Sequence, residues 1–124
     1  MKAPPVWAQD MTLRALLYAE AQDFKVAVPI LNWRRVNRRN SSGVCWRKPA
    51  KININAGRNS IDTKLVLLHE IAHLIAPFRG HTPEFWAIAW QLYRWAKLPI
   101  RYCKEREGNY MKGALVAYHR GLRN

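Results

Sequence analysis

His69-Glu70-Ile71-Ala72-His73 places two imidazoles four residues apart with a carboxylate beside the first. On a helix, positions i and i+4 stand one turn apart on the same face, so both imidazoles reach one Zn²⁺ at ~2.0–2.1 Å. Glu70 sits where it reaches a water on that ion without ligating the ion itself. Zinc lowers the pKa of such a water toward ~7 and polarises a carbonyl, and Glu70 takes the water's proton as it attacks. The chemistry is hydrolysis of an amide or a related acyl bond. Two core histidines with a buried carboxylate would show the same spacing, but a carboxylate buried without a partner on an apolar helix is costly.

A hydrolytic zinc site takes three protein ligands and keeps one position open. A metzincin would need glycine at position 76 and histidine at 79, where this chain has Ala76 and Arg79. His81 follows a tight turn just past the end of the motif helix and directly precedes the next helix, which would hold its backbone. Glu84 is the rival third ligand and would make a two-histidine, one-glutamate site; its ordinary role is to stabilise a helix start. His119 is too remote in sequence to place. Arg79, Tyr102 and Tyr110 are candidates for stabilising a developing oxyanion, with no spacing argument to choose among them.

The elements that must position these groups follow from periodicity. Leu65 to Ile75 is apolar almost all round, which predicts a buried central helix over Ile61–Ala76, stopped by Pro77. Thr82, Pro83 and Glu84 are favourable as cap, first residue and first-turn acid of a second helix running to Lys97 before Pro99. Its apolar residues form two stripes: Phe85, Ile88, Ala89, Leu92 and Trp95 on one, Trp86, Trp90 and Tyr93 on the other. Such a helix is sandwiched in a core, or its Trp86/Trp90 stripe walls a cleft or meets a partner.

Upstream, Thr12 is expected to cap a helix over Leu13–Phe24 with Leu13, Leu16, Leu17, Ala21 and Phe24 on its apolar face. Val26–Arg35 reads as a strand that Pro29 confines to an edge or a bulge. Asn40-Ser41-Ser42-Gly43 reads as a turn, Val44-Cys45-Trp46 as a returning strand, and Ile52-Asn53-Ile54-Asn55 as a half-buried strand. A small antiparallel sheet is therefore expected, with a basic hairpin projecting between Arg34 and Lys51. A short helix is expected over Tyr110–Arg120.

Composition narrows the function classes. At 124 residues, 49% hydrophobic and 23% charged, the chain has the length for one core and the composition of a globular domain. No apolar run approaches the ~18 residues of a membrane span, and no secretory signal is read at the start. Cys45 and Cys103 form no paired-cysteine motif and read as reduced thiols, which fits the cytoplasm.

Charge is the outlier. Lys+Arg 21 against Asp+Glu 8 leaves +13, which favours polyanionic partners. No acidic residue lies between Asp23 and Asp62, a stretch that holds Lys25, Arg34, Arg35, Arg38, Arg39, Arg47, Lys48, Lys51 and Arg58. Arg34, Arg35, Arg38, Arg39, Arg47, Lys48 and Lys51 could track a phosphate backbone while Trp33 or Trp46 stacks on unpaired bases. With no base-reading motif, such binding to DNA would be sequence-nonspecific and salt-dependent. The alternative is that these charges point to water and both tryptophans are core.

The run HEIAH, followed by Gly80-His81 and then Phe85, resembles the SprT-like zinc metalloprotease domain. The family also has a helix and a sheet segment before its motif helix, and the segment Gly43-Val44-Cys45-Trp46 to Lys51-Ile52-Asn53-Ile54-Asn55 is similar to it. The resemblance covers about residues 10 to 97, leaving a basic segment over 98–124. It implies a zincin-like α+β fold in a single domain over 1–124, with one catalytic Zn²⁺ held by His69, His73 and His81 and Glu70 as general base. It also implies protein substrates, and DNA as a partner, since the family includes proteases that degrade proteins crosslinked to DNA. Many members carry a zinc ribbon with paired cysteines, and this chain has none, so the basic hairpin and the Arg101–Arg123 tail would have to contact DNA. The short form fits a minimal bacterial or phage-encoded member, placed in the cytoplasm at the nucleoid. Two readings of other classes stand beside it: a non-catalytic zinc-containing nucleic-acid-binding module, and a regulator that binds a partner through its tryptophan-rich helix.

Overall fold

The computed structural model describes residues 3–77 and 79–108. The expected helix over Tyr110–Arg120, most of the basic tail, His119 and Tyr110 lie outside them. The described residues form an α+β structure with four helices and a three-stranded sheet. They divide after Ile75 into two compact units. No described helix is long and apolar enough to cross a membrane.

The first unit holds α1 (Val6–Glu20), β1 (Ile30–Arg35), β2 (Ser42–Arg47), β3 (Ala50–Ala56) and α2 (Ser60–Ile75). Helix α1 begins six residues before the expected cap. Thr12 does not cap it: its hydroxyl donates to the Ala8 carbonyl one turn earlier at 2.8 Å, the inward bond a mid-helix threonine makes. The buried face is accordingly Ala8, Thr12, Ala15, Leu16 and Ala19, while Leu13 and Leu17 are exposed. Four of these five residues are small, which lets the backbones of α1 and its neighbour α2 come close. Asp23, at φ 69°, then turns the chain out of the helix, with the Phe24 amide reaching back to Ala19 O at 3.1 Å.

The sheet is mixed, where an antiparallel one was expected. Its order is β1-β3-β2; β1 runs parallel to β3, and β2 pairs with β3 antiparallel. Strand β1 is thus an edge, but it begins at Ile30, so Pro29 precedes it where a strand from Val26 was expected; the chain leaves it over residues 36–41 and starts β2 at the opposite edge. That crossing is anchored by the Ser41 amide on Asp62 Oδ2 at 2.6 Å, and by the Ser41 hydroxyl, which meets Thr63 Oγ1 and accepts from the Gly57 amide. Gly57 permits it, since a Cβ there would lie 2.5 Å from Asn40 O and 2.6 Å from Arg39 O. Burial assigns the two faces of the sheet. Ile52, Ile54 and Ala56 of β3 and Trp33 of β1 are buried on one, against which α2 packs. Trp7 meets Trp33 edge-on at 5.6 Å and so ties α1 to this face.

Helix α2 matches the expected central helix within a residue at each end. Asn59 Oδ1 accepts from the Ile61 and Asp62 amides and caps it. From Leu65 to Ala72 every residue is buried.

The second unit holds α3 (Pro83–Trp95) and α4 (Ile100–Glu107). Thr82 caps α3 as expected, its hydroxyl oxygen accepting from the Phe85 amide at 3.1 Å. Lys97, at φ 58°, ends it, with the Leu98 amide donating to Tyr93 O. Both stripes of α3 are buried apart from Trp95, so the Trp86/Trp90 stripe is core and offers no open surface to a partner. Helix α4 was not expected from the sequence, because only Cys103 and Glu107 are buried in an otherwise polar octapeptide. The Tyr93 hydroxyl donates to the buried Glu107 carboxylate and pins α4 to α3.

Candidate metal centre

His69 and His73 are presented by the last turns of α2, one turn apart, with ring centroids 5.0 Å from one another. His69 is buried and His73 half-buried. His81 is exposed and lies two residues before α3, just after Gly80 at φ 86°. Its ring stacks on Trp86 at 5.3 Å and 23° and meets Phe85 edge-on at 5.0 Å. The first turn of α3, held by the Thr82 cap, therefore sets the orientation of this imidazole.

The ligand nitrogens of His69, His73 and His81 all lie within 4.8 Å of one another, close enough to hold a metal ion. Three nitrogens at ~2.0–2.1 Å from a tetrahedral ion stand about 3.4 Å apart, inside that limit. The donor chemistry, three imidazoles, is a set that zinc accepts with one coordination position left open. Among the described residues no fourth His, Cys, Asp or Glu joins the group. Glu84 is outside it and sits exposed in the first turn of α3.

Glu70 is buried on α2 beside His69. Strand β2 runs along it: a Cβ at Gly43 would come within 2.9 Å of Glu70 Cγ and 3.0 Å of Ile54 Cδ1. The bare backbone at position 43 is what leaves room for the carboxylate arm. Two residues along the same strand, the Cys45 thiol is pushed up to about 12 by burial and then by the Glu70 charge, with Arg47 opposing. Cys103 in the second unit is likewise pushed up to about 12, by burial and then by the Glu107 carboxylate. Both cysteines are free.

The structure brings the three histidines together but does not build the basic residues into one projecting hairpin. Arg34 and Arg35 end β1, Arg38 and Arg39 lie on the crossing, and Arg47, Lys48 and Lys51 surround the β2–β3 turn. The register separates them further. Arg35 pairs with Ala56 and Arg47 with Ala50, on the side of the sheet that α2 covers; Arg34 and Lys51 fall on the other side. Of the two tryptophans offered for stacking, Trp33 is core at 3% exposed, whereas Trp46 is 40% exposed.

Sequence reasoning missed the supporting residues. Sequence patterning puts Trp86 in an apolar stripe that is core, walls a cleft or meets a partner, and nothing in the spacing says that it carries the His81 ring. Gly43 read as a turn residue; its role requires knowing that β2 passes α2.

No family model, curated protein or solved structure matches the chain.

Proposed function

We propose that this chain is a zinc-dependent endopeptidase of the SprT-like, zincin-like type, acting on proteins bound or crosslinked to DNA. The observation that carries the reading is a helical HEIAH segment whose two histidines meet His81 within 4.8 Å, with a buried Glu70 between them in sequence. Glu70 has no part in the nitrogen triad, and a purely structural site has no use for a carboxylate beside it.

His69, His73 and His81 would hold the ion, which when bound supplies Lewis acidity and makes water acidic enough to be a nucleophile near neutral pH. Glu70 accepts the proton of the attacking water and returns it to the leaving amine, a general-base and general-acid role worth ~10²–10⁴-fold. Its burial keeps bulk water from competing for that proton, and Gly43 sets the room in which its side chain moves. Protein substrates follow from the family resemblance. The net charge of +13 supports DNA as the scaffold that gathers them.

The test is a gel-based cleavage time course on zinc-loaded protein with a DNA-bound protein substrate, with and without single-stranded DNA. Glu70→Gln is expected to keep its zinc and lose turnover by at least ~100-fold; His81→Ala is expected to lose zinc on dialysis. Equal turnover in Glu70→Gln would overturn the mechanism. An intact substrate despite bound zinc and bound DNA would favour the non-catalytic zinc-containing nucleic-acid module instead.

A further inference from the structure

Among the described residues of the first unit, neither helix packs on the face of the sheet opposite α2, since Trp33, which meets Trp7 of α1, lies on the α2 side. Cross-strand register places Ile30, Lys51 and Trp46 in one row across β1, β3 and β2, and Asn32 and Asn53 in the next. Arg34 follows two residues along β1. Ile30 is 61% exposed, Val44, opposite Asn53, is 50% exposed and Trp46 is 40% exposed, which gathers exposed apolar side chains on this one face. The Lys51 ammonium sits over the Trp46 ring, 4.4 Å from its centroid. Asn32 Nδ2 donates to Asn53 Oδ1 at 2.9 Å, and each amide keeps hydrogen-bonding capacity beyond that bond. The 38 residues from Phe24 to Ile61 contain nine Lys or Arg and no Asp or Glu.

We propose that this open face is a binding platform for single-stranded nucleic acid, with Trp46 as the base-stacking residue and Lys51 and Arg34 as the phosphate contacts. It rests on the nucleic-acid half of the reading above and is independent of the hydrolytic half. Each kind of group on the face has a use for an unpaired strand. The exposed indole offers a π-face to a base as the Lys51 ammonium over the ring turns to the flanking phosphate, and the asparagine pair meets base edges. A duplex hides its base faces from the indole. A lipid surface would leave the two amides desolvated against acyl chains.

The assignment divides the basic residues. Arg35 and Arg47, on the covered side, contribute long-range attraction only, whereas Lys51 and Arg34 touch the strand. No base-specific pairing is built in, so the platform takes DNA or RNA with little regard for sequence.

The experiment is a fluorescence-anisotropy titration of a labelled oligothymidylate with the full chain, repeated with a duplex of equal length. It is done in the Glu70→Gln background so that self-cleavage plays no part. Trp46→Ala is expected to weaken single-strand binding roughly 5- to 150-fold and duplex binding less than about twofold. Lys51→Gln is expected to reduce the salt slope of single-strand binding by about 0.7, the value for one phosphate contact. Arg35→Gln should change affinity far less than Lys51→Gln, and melting curves confirm that each variant is folded. Wild-type single-strand affinity in a folded Trp46→Ala, or equal loss on the duplex, overturns the platform while leaving the peptidase reading intact. Binding to anionic phosphatidylserine vesicles that Trp46→Ala abolishes, with no oligonucleotide binding by the parent, overturns both the platform and the DNA half of that reading.

Discussion

Two thiols show how the surroundings of a side chain decide its chemistry. Cys45 and Cys103 are both held at about 12, against an ordinary value of 9.0, by burial first and by a nearby carboxylate second. At pH 8 that leaves roughly a thousandfold fewer thiolates than in the unfolded chain. Iodoacetamide labelling followed by mass spectrometry should therefore find both cysteines almost unreactive in native protein and promptly alkylated in urea; rapid native labelling of Cys45 would contradict its placement beside Glu70. The linkage has a definite sign. Well below pH 9 both thiols are protonated in the folded and unfolded chains alike. Between pH 9 and 12 the unfolded chain has lost protons that the folded one keeps, so stability from this source falls as pH rises through that window. At this scale the spacing of HEIAH is informative because the distance between positions i and i+4 on a helix is a local property: His69 and His73 stand one turn apart on α2, within metal-binding distance of His81. His81 was singled out by its position after a turn. The ring that carries it, Trp86, went unrecognised because stacking geometry leaves no mark on spacing.

The helix and strand boundaries that sequence patterns anticipate well are those with local punctuation. Thr82-Pro83-Glu84 marks the start of α3 without ambiguity, and the run from Leu65 to Ile75 can be little else than a buried helix. Strand pairing is different. Turn residues around Asn40–Gly43 suggest a simple meander, yet the chain crosses to the far edge of the sheet, a choice made by contacts between residues some twenty positions apart such as Ser41 with Asp62. Thr12 misled for a related reason: a threonine that caps and one that bonds back to the previous turn look the same in sequence. The crossing has its own test. Gly57→Ala would drive a methyl group into the carbonyl oxygens of residues 39 and 40, which are backbone and cannot rotate away. A loss of about 1–3 kcal/mol in urea unfolding is expected; a neutral substitution would mean that the crossing does not press on Gly57.

At the scale of the whole molecule, a chain with +13 charges folds against its own repulsion, and anything that binds only the folded form adds to its stability. Zinc at about a thousand times its dissociation constant would contribute about 4 kcal/mol. Scanning calorimetry should accordingly show a higher Tm with zinc and a lower one after chelation, and His81→Ala should lose most of that difference; a Tm indifferent to zinc would speak against the histidine triad as a binding site. The three histidines also differ in access to solvent, from buried His69 through half-buried His73 to exposed His81. This gradient makes the triad a ladder with a wet top rung. An ion held by the triad would meet solvent on the His81 side, so His81→Ala should change how fast it exchanges with a chelator more than alanine substitution of burial-matched neighbours does.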